Sequence, residues 1–381
     1  MYNLFNYTYP RYIPDYKVDD ILKSLSSGCD RYHNLFDGNS LFYLNNARTG
    51  IFLLLNNLPP GEVILPAYIC NVVSKSVVLS GHQPVFVDID YDDHLSMPIK
   101  RVKDKISSKT RAIIAAHLFG IPCDITAFLE LSINNNMLLI EDAAAAFGGY
   151  LQGKPIGTFG DASVFSFGKG KPLWANKGGL LLLNNNNIKI NLINSLNKLG
   201  KSNSLFSLLI ALANKILYHP QIYPWAYKIQ RERKGGDFWE DGVSDRNRMS
   251  FKSMDFFTRN LLFTQLDNWE NKILRRREIA NAYREKIWNT QLRHVHVAPD
   301  REPSWPCYPL LVKRREDFFY YMHSRGVDLN WSWNYNSAEI SGQIDCPKAS
   351  YMAKRILSLP VNSAFRQNDI DYIISIANDF H

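Results

Sequence analysis

Three clusters in this chain have the residue types and spacing to do covalent or acid–base chemistry. Lys169, Lys171 and Lys177 lie among glycines just past the apolar run ASVFSF (162–167). A lysine held there, its pKa lowered by burial and neighbouring cations, is a candidate nucleophile for a carbonyl. The three lysines compete for that role, and a solvated side chain is the plain alternative for each. Glu141 and Asp142 end the run MLLIED (137–142). A carboxylate at that point holds a cationic ring nitrogen or a metal, or simply caps the Ala-rich segment that follows. Asn46-Ala47-Arg48-Thr49-Gly50 leads into the apolar stretch IFLLLNNL. Backbone N–H groups at a helix start, beside a guanidinium and a hydroxyl, make an anion site; an ordinary N-cap is the alternative. Lysine, strand-end carboxylate and phosphate cradle are together the three parts that a pyridoxal phosphate (PLP) enzyme requires.

The elements that must position these groups are legible in the apolar rhythm. Between Glu62 and about Asn185 short β-rich runs alternate with helical stretches: EVILP (62–66), PVFVDID (84–90), RAIIAAHLF (111–119), MLLIED, ASVFSF and GGLLLL (178–183). Most are nearly continuous, as strands covered on both faces are. DITAFLELSINNN (124–136) has helical spacing with Asp124 as a candidate N-cap. The expectation is a mostly parallel sheet between helices, with ligands beyond the carboxyl ends of the strands. Further on, Leu262, Leu266, Trp269 and Ile273 predict one long helix. Its other face carries Arg275, Arg276 and Arg277, which read as a solvated face rather than a nucleic-acid patch. Strand-like YPLLV (308–312) and helices over about 315–325 and 368–379 suggest a smaller α/β lobe. Residues 186–245, with LFSLLIALANKILYHPQIYPWAYKI, read as an amphipathic insertion, either a helical cover or subunit contact or a membrane-surface element.

Composition bounds the function classes. With 46% hydrophobic and 21% charged residues over 381 positions, the chain is not intrinsically disordered. Lysine plus arginine outnumber aspartate plus glutamate by 44 to 36, a net +8 that attracts anions without naming them. Cys29, Cys70, Cys123, Cys307 and Cys346 form no CxxC pair, which fits reduced thiols better than disulfides or a zinc site. No secretory h-region stands at the N-terminus and no apolar run approaches the roughly 20 residues of a membrane helix. A cytoplasmic protein without stable membrane insertion, nucleic-acid partner or metal is expected.

LPAYICNVVSKSVVLSGHQPVFVDID, AAHLFGIPCDITAF and LLIEDAAAAFGGYLQGKPIGTFGDASVFSFGKGKP, followed by RNRMSFKSMDF and ILSLPVNSAFRQNDIDYII, resemble the DegT/DnrJ/EryC1/StrS aminotransferases. The resemblance runs from about residue 40 nearly to the end, and HLFG, EDAA and GTFGDASVFSF in that order make it specific. It implies an α/β, fold-type I PLP-dependent transferase. The large cofactor domain would span 1–250, with the insertion at about 186–245, and a smaller C-terminal α/β domain 251–381. By position, Lys171 matches the Schiff-base lysine, Asp142 the carboxylate on the pyridinium nitrogen, and Ser166 a phosphate-contacting hydroxyl. Ala47, Arg48 and Thr49 fall at the phosphate-binding helix start. Arg246 stands where the family's partner subunit donates an Asn, with Asn247 beside it.

Three positions depart from the family. Ala145 replaces a Gln or His near the cofactor ring, Cys70 replaces a stacking aromatic, and Lys177 replaces the acid of a Gly-Glu-Gly-Gly run, adding charge toward an anionic substrate. Trp331 and Trp333, in NWSWNY (330–335), fall in a loop that shapes the substrate pocket, either stacking on a sugar or base or packing the lobe. The implied reaction is transfer of an amino group from glutamate or glutamine to a keto-sugar, through PLP and its pyridoxamine form, by a homodimer with shared sites. The substrate expected is a nucleotide-linked keto-deoxysugar for surface polysaccharide or lipopolysaccharide. A non-nucleotide keto-sugar acid such as a keto-octulosonate, or a non-catalytic regulatory protein on the same scaffold, are the alternatives. A sugar dehydratase, in which histidine replaces the lysine, is disfavoured by Lys171.

Overall fold

Six apolar runs become strands of one seven-stranded sheet in the computed structural model, which describes residues 9–26, 36, 39–92, 94–227, 250–343 and 345–381. They are β2 (Glu62–Pro66), β3 (Gln83–Val87), β4 (Thr110–Ala116), β5 (Leu138–Asp142), β8 (Ala162–Ser166) and β9 (Gly179–Leu183). β1 (Ser40–Leu44) adds an edge, and the order is β1-β9-β8-β5-β4-β2-β3. The short strand β6 (Tyr150–Leu151) pairs with β7 (Lys154–Pro155) on one side and with β11 (Arg301–Glu302) on the other. β10 (Leu292–His294), β12 (Cys307–Val312) and β13 (Ile356–Pro360) form a separate antiparallel sheet.

The large sheet is α/β and mostly parallel, as its patterning predicts: β2, β3, β4, β5 and β8 run parallel. β9 is the reversed strand, antiparallel to both β8 and β1. Alternate residues enter opposite apolar clusters. Val63, Leu65, Ile114, Ile140 and Leu181 face one side, and Ile64, Ile113, Leu139 and Leu182 the other. Both faces being covered explains why the runs read as continuous rather than alternating.

Helices α1 (Val18–Ser26), α2 (Ala47–Asn56), α3 (Asn71–Leu79), α4 (Ile99–Lys105), α5 (Ile125–Asn134), α6 (Asn186–Asn197) and α7 (Ser204–Leu217) come before Ser250 in the chain. After Ser250 come α8 (Phe256–Leu266), α9 (Trp269–Lys286), α10 (Arg315–Ser324), α11 (Ser337–Ile340), α12 (Pro347–Ala353) and α13 (Gln367–Asn378). The single helix expected across 262–273 is two, because Asp267 and Asn268 end one and begin the next. Asp124 precedes α5 but makes no side-chain cap; its carboxylate meets Arg301 instead.

The arginine run is not a solvated face. Arg276 is buried, donating to Asp15 Oδ2 at 2.8 Å and to the Val361 carbonyl at 2.7 Å. Arg277 donates to the carbonyls of Pro303 and Gly148, and Arg275 to that of Phe365. Sequence cannot separate such clamps from solvated charge, because their acceptors are carbonyls far along the chain. No helix among the described residues is long and apolar enough to cross a membrane.

Residues 186–217 contain α6 and α7, and α7 lies with its apolar side outward. Ser207 and Ala211 bury against the body, whereas Leu205, Phe206, Leu209, Leu212, Ile216 and Leu217 are 40–65% exposed. Polar links fasten the inner side: Ser207 Oγ donates to Asp255 at 2.7 Å and Asn214 to Asn176 at 2.8 Å.

Candidate active site

The carboxyl ends of β4, β5 and β8 and the starts of α2 and α3 meet at one edge of the large sheet, where parallel sheets gather ligands. Strand alternation then divides the two carboxylates of β5 between opposite faces. Glu141 is fully buried. Its Oε1 accepts the N–H groups of Phe159 and Gly160 at 2.7 Å each, and Oε2 accepts Gly157 N–H at 2.8 Å and contacts His117 Nε2 at 3.2 Å. Glu141 is thereby a structural staple. Asp142 is half-buried, accepts Ala144 N–H at 3.2 Å, and faces a cavity. No helix directly follows Asp142, so it caps none; its carboxylate shapes a turn and fronts the cavity. Burial raises its pKa, opposed by the positive charge of Lys171 and then by the Ala144 N–H.

That cavity has a volume of about 270 Å³. Ala47, Arg48, Cys70, Asp142, Ala145, Ser166, Lys171 and Trp333 line it together with His117 and Phe119. Ser166 ends β8, and the chain then turns sharply, Lys171 N–H donating to the Gly168 carbonyl at 3.2 Å. Gly170 has φ +74°, and a Cβ there would come 2.5 Å from the Tyr12 ring, so the turn that presents Lys171 requires glycine. At the opposite wall Asn46 caps α2, accepting Thr49 N–H at 3.0 Å. β9 crosses so close beneath this cap that a Cβ on Gly179 would collide with Ala47 N.

The three lysines are placed differently. Lys171 lines this cavity and a second one of about 360 Å³, and Cys70, Phe119, Ala145 and Trp333 are shared between the two. Lys169 lines only the second cavity. Lys177 lines neither and lies 3.2 Å from buried Asp255, which caps α8. The substrate role expected of Lys177 therefore has no support in its placement. Thr49 is also apart from the cavity lining: fully buried, its hydroxyl lies 3.0 Å from Asn46 Oδ1 and 3.1 Å from the Ser250 carbonyl. It shapes the helix start from behind. Arg246 and Asn247 lie outside the described residues.

Trp331 and Trp333 both line the second cavity. The Arg315 guanidinium sits 4.2 Å over the Trp331 ring and Phe319 meets it edge-on, so Trp331 is held as a rigid plate. The Trp333 carbonyl accepts the Tyr68 hydroxyl at 2.9 Å. Cys70 precedes α3, and burial pushes its thiol pKa up. Sequence reasoning passed over Tyr12, Phe119 and Tyr335. Phe119 lies inside HLFG with φ +55°, a left-handed residue that aims its ring at both cavities. The Tyr335 hydroxyl accepts Asn71 N–H at 2.9 Å, tying the Trp loop to the start of α3. The NWSWNY run contained that tyrosine, but nothing in it pointed to Asn71.

The donor set fits PLP. A lysine and a carboxylate face one cavity, with a hydroxyl, a guanidinium and a helix start on its wall, and these are groups for an aldehyde, a ring nitrogen and a phosphate.

GDP-perosamine synthase of Escherichia coli O157:H7 is 31% identical over 237 residues, 62% of this chain but only 54% of that enzyme. dTDP-3-amino-3,6-dideoxy-alpha-D-galactopyranose transaminase of Aneurinibacillus thermoaerophilus is 26% identical over 387 residues, 97% of this chain and 91% of that one. Among solved structures, Spr1654 of Streptococcus pneumoniae in its PLP form superposes with TM-score 0.72 at 21% identity, covering 97% of each chain. The model of the DegT/DnrJ/EryC1/StrS aminotransferase family matches residues 40–212 and 230–377, and this chain belongs to that family.

Proposed function

We propose that the protein transfers an amino group from glutamate or glutamine to the carbonyl of a nucleotide-linked keto-deoxysugar, with PLP as cofactor. The observation that carries this reading is Lys171, which faces Asp142 in one cavity and opens onto a second, Trp-lined one. When bound, PLP supplies an electrophilic aldehyde and a ring that accepts the electron pair left when a substrate carbon loses its proton. With PLP bound, Lys171 Nζ would hold its aldehyde end and would move the proton of the donor's α-carbon. The Asp142 carboxylate holds a proton on the ring nitrogen. Arg48, the Ser166 hydroxyl and the N–H groups at the start of α2 bind the phosphate. Phe119 and Trp333 exclude water from the reacting side.

The nucleotide-linked acceptor is supported by relatives named for GDP- and dTDP-linked amino sugars, and the wide second cavity has room beside Lys171. The test uses the cofactor-loaded enzyme, converted by glutamate to its pyridoxamine form and then offered candidate acceptors. Nucleotide-linked 3-keto and 4-keto deoxysugars are expected to restore the original absorbance, and free acidic ketoses to leave it unchanged. Restoration by the free acids alone, or no spectral response to glutamate, would overturn the reading.

A homodimer is part of the same proposal. Leu205, Leu209, Leu212 and Ile216 recur on α7 at steps of four, three and four, the seam of a helix that packs against another helix. Because α7 buries its small and polar side, the covering surface must be apolar, and a second copy offers the same seam. The double variant Leu209→Glu/Leu212→Glu is expected to halve the mass measured by light scattering. An unchanged mass, with the circular dichroism of the parent, rules this pairing out.

A further inference from the structure

The segment ahead of α1 carries a tyrosine, Tyr12, to the wall of the second cavity, and the transfer chemistry gives it no role. Tyr9 N–H donates to the Gly326 carbonyl at 3.0 Å, and the Tyr9 carbonyl accepts Asp328 N–H at 3.0 Å. Arg11 Nε lies 2.9 Å from Oδ2 of fully buried Asp328, and Asp15 Oδ2 lies 2.8 Å from Arg276. The Ile13 carbonyl accepts the Asn362 amide at 3.2 Å. Residues 9–15 are thus fastened, on both sides of Tyr12, to the chain that follows residue 275. Tyr12 itself meets the lysine turn after β8.

Gly170 locates the hydroxyl end of that ring. A Cβ at this glycine would come 2.5 Å from Cε1 of Tyr12 and 2.8 Å from Cζ, the carbon that bears the hydroxyl. Gly170 directly precedes Lys171, so the phenol stands beside the turn that presents the amine. Tyr12 and Lys171 both line the second cavity, whereas Tyr12 does not line the first, where Asp142 and Ser166 stand. Burial pushes the Tyr12 phenol above its ordinary pKa, which keeps it protonated. A neutral hydroxyl does not balance the carboxylates of an amino-acid donor. It does donate to the uncharged oxygens of a sugar.

We propose that Tyr12 is a specificity-determining residue whose hydroxyl donates a hydrogen bond to a sugar oxygen next to the keto group of the acceptor. The ion pairs of Arg11 and Asp15 brace the segment that carries it, so the hydroxyl is aimed before the sugar arrives. This rests on the function proposed above, and it gives the acceptor a polar contact from outside the large sheet.

The test compares the parent holoenzyme with Tyr12→Phe, which keeps the ring against Gly170 and removes only the hydroxyl. The two half-reactions are followed separately: conversion to the pyridoxamine form by glutamate, and return by a nucleotide-linked keto-deoxysugar. Loss of one hydrogen bond to the acceptor corresponds to a fall of about tenfold in kcat/KM. Tyr12→Phe is expected to show that fall in the acceptor half-reaction, with the glutamate half-reaction within about twofold of the parent. An acceptor half-reaction that is unchanged overturns the assignment while the proposed function stands. So does an equal fall in both half-reactions, which marks a general disturbance of the lysine turn. A parent enzyme that reacts with glutamate but is returned by no nucleotide-linked ketose overturns the proposed function and this assignment with it.

Discussion

Lys171→Ala is expected to lower amino transfer by on the order of 10⁴-fold, the upper range for loss of a positioned proton-transfer group. Among the described residues no other lysine lines this cavity. Lys169 lines only the neighbouring cavity and rests on aromatic faces, and Lys177 is held against Asp255. The variant should still take up the cofactor, since Arg48, Ser166 and the start of α2 are untouched. It should no longer show the absorbance of the lysine-bound form. Turnover above about one per cent of the parent would remove Lys171 from the reaction. Small primary amines added to the variant provide a second check, because a small amine fits the space left by the truncated side chain.

The adjacent carboxylates of β5 should give opposite phenotypes. Glu141→Ala strands two buried N–H groups, the part-buried one of Phe159 and the His117 ring, at a cost on the order of 3–5 kcal/mol given about 1–3 for each unsatisfied group and some relaxation. Denaturant midpoints of the cofactor-free protein measure it, free of the stabilisation that ligand binding adds. Asp142→Ala removes a half-buried group with one backbone partner, and stability should fall by about 1 kcal/mol at most. Its turnover, however, should drop by about 10²–10³-fold, the usual effect of deleting one preorganised electrostatic partner. Equal destabilisation by the two variants would contradict the division of labour between the two faces of the strand.

What could be read in advance follows from how local each signal is. Ala47 and Arg48, Asp142 and Ala145, Ser166 and Lys171 lie in contiguous motifs at strand ends, and the structure gathers them around one cavity. The six runs of continuous apolar residues are strands because burial on both faces leaves that mark. Direction leaves no mark, so β9 reads like its parallel neighbours although it is reversed. β1 leaves a weaker mark because SLFYL is mostly half-buried. The break at Asp267–Asn268 falls between turns of the same apolar stripe, so periodicity continues across it. Lys177, Arg276 and Tyr335 have in common that their meaning depends on a distant partner: Asp255, Asp15 and Asn71. A side chain's type says what it can bind, and only the fold says whether the binding goes to protein or to ligand.

The reversed strand β9 has a consequence for the order in which the chain is assembled. Gly179 pairs with Leu44 on one side and with Ser166 on the other. The helix start that follows β1 and the lysine turn that follows β8 are therefore joined through a strand made after both. During synthesis the residues of the cradle leave the ribosome early, yet they gain their edge partner only when Leu183 has followed. Such long-range pairing is slow to form and leaves apolar surface open in the meantime. The nascent chain must keep α2 and its Leu-rich face from other partners until β9 inserts. Synthesis stalled before that point would yield a strand set without an active site.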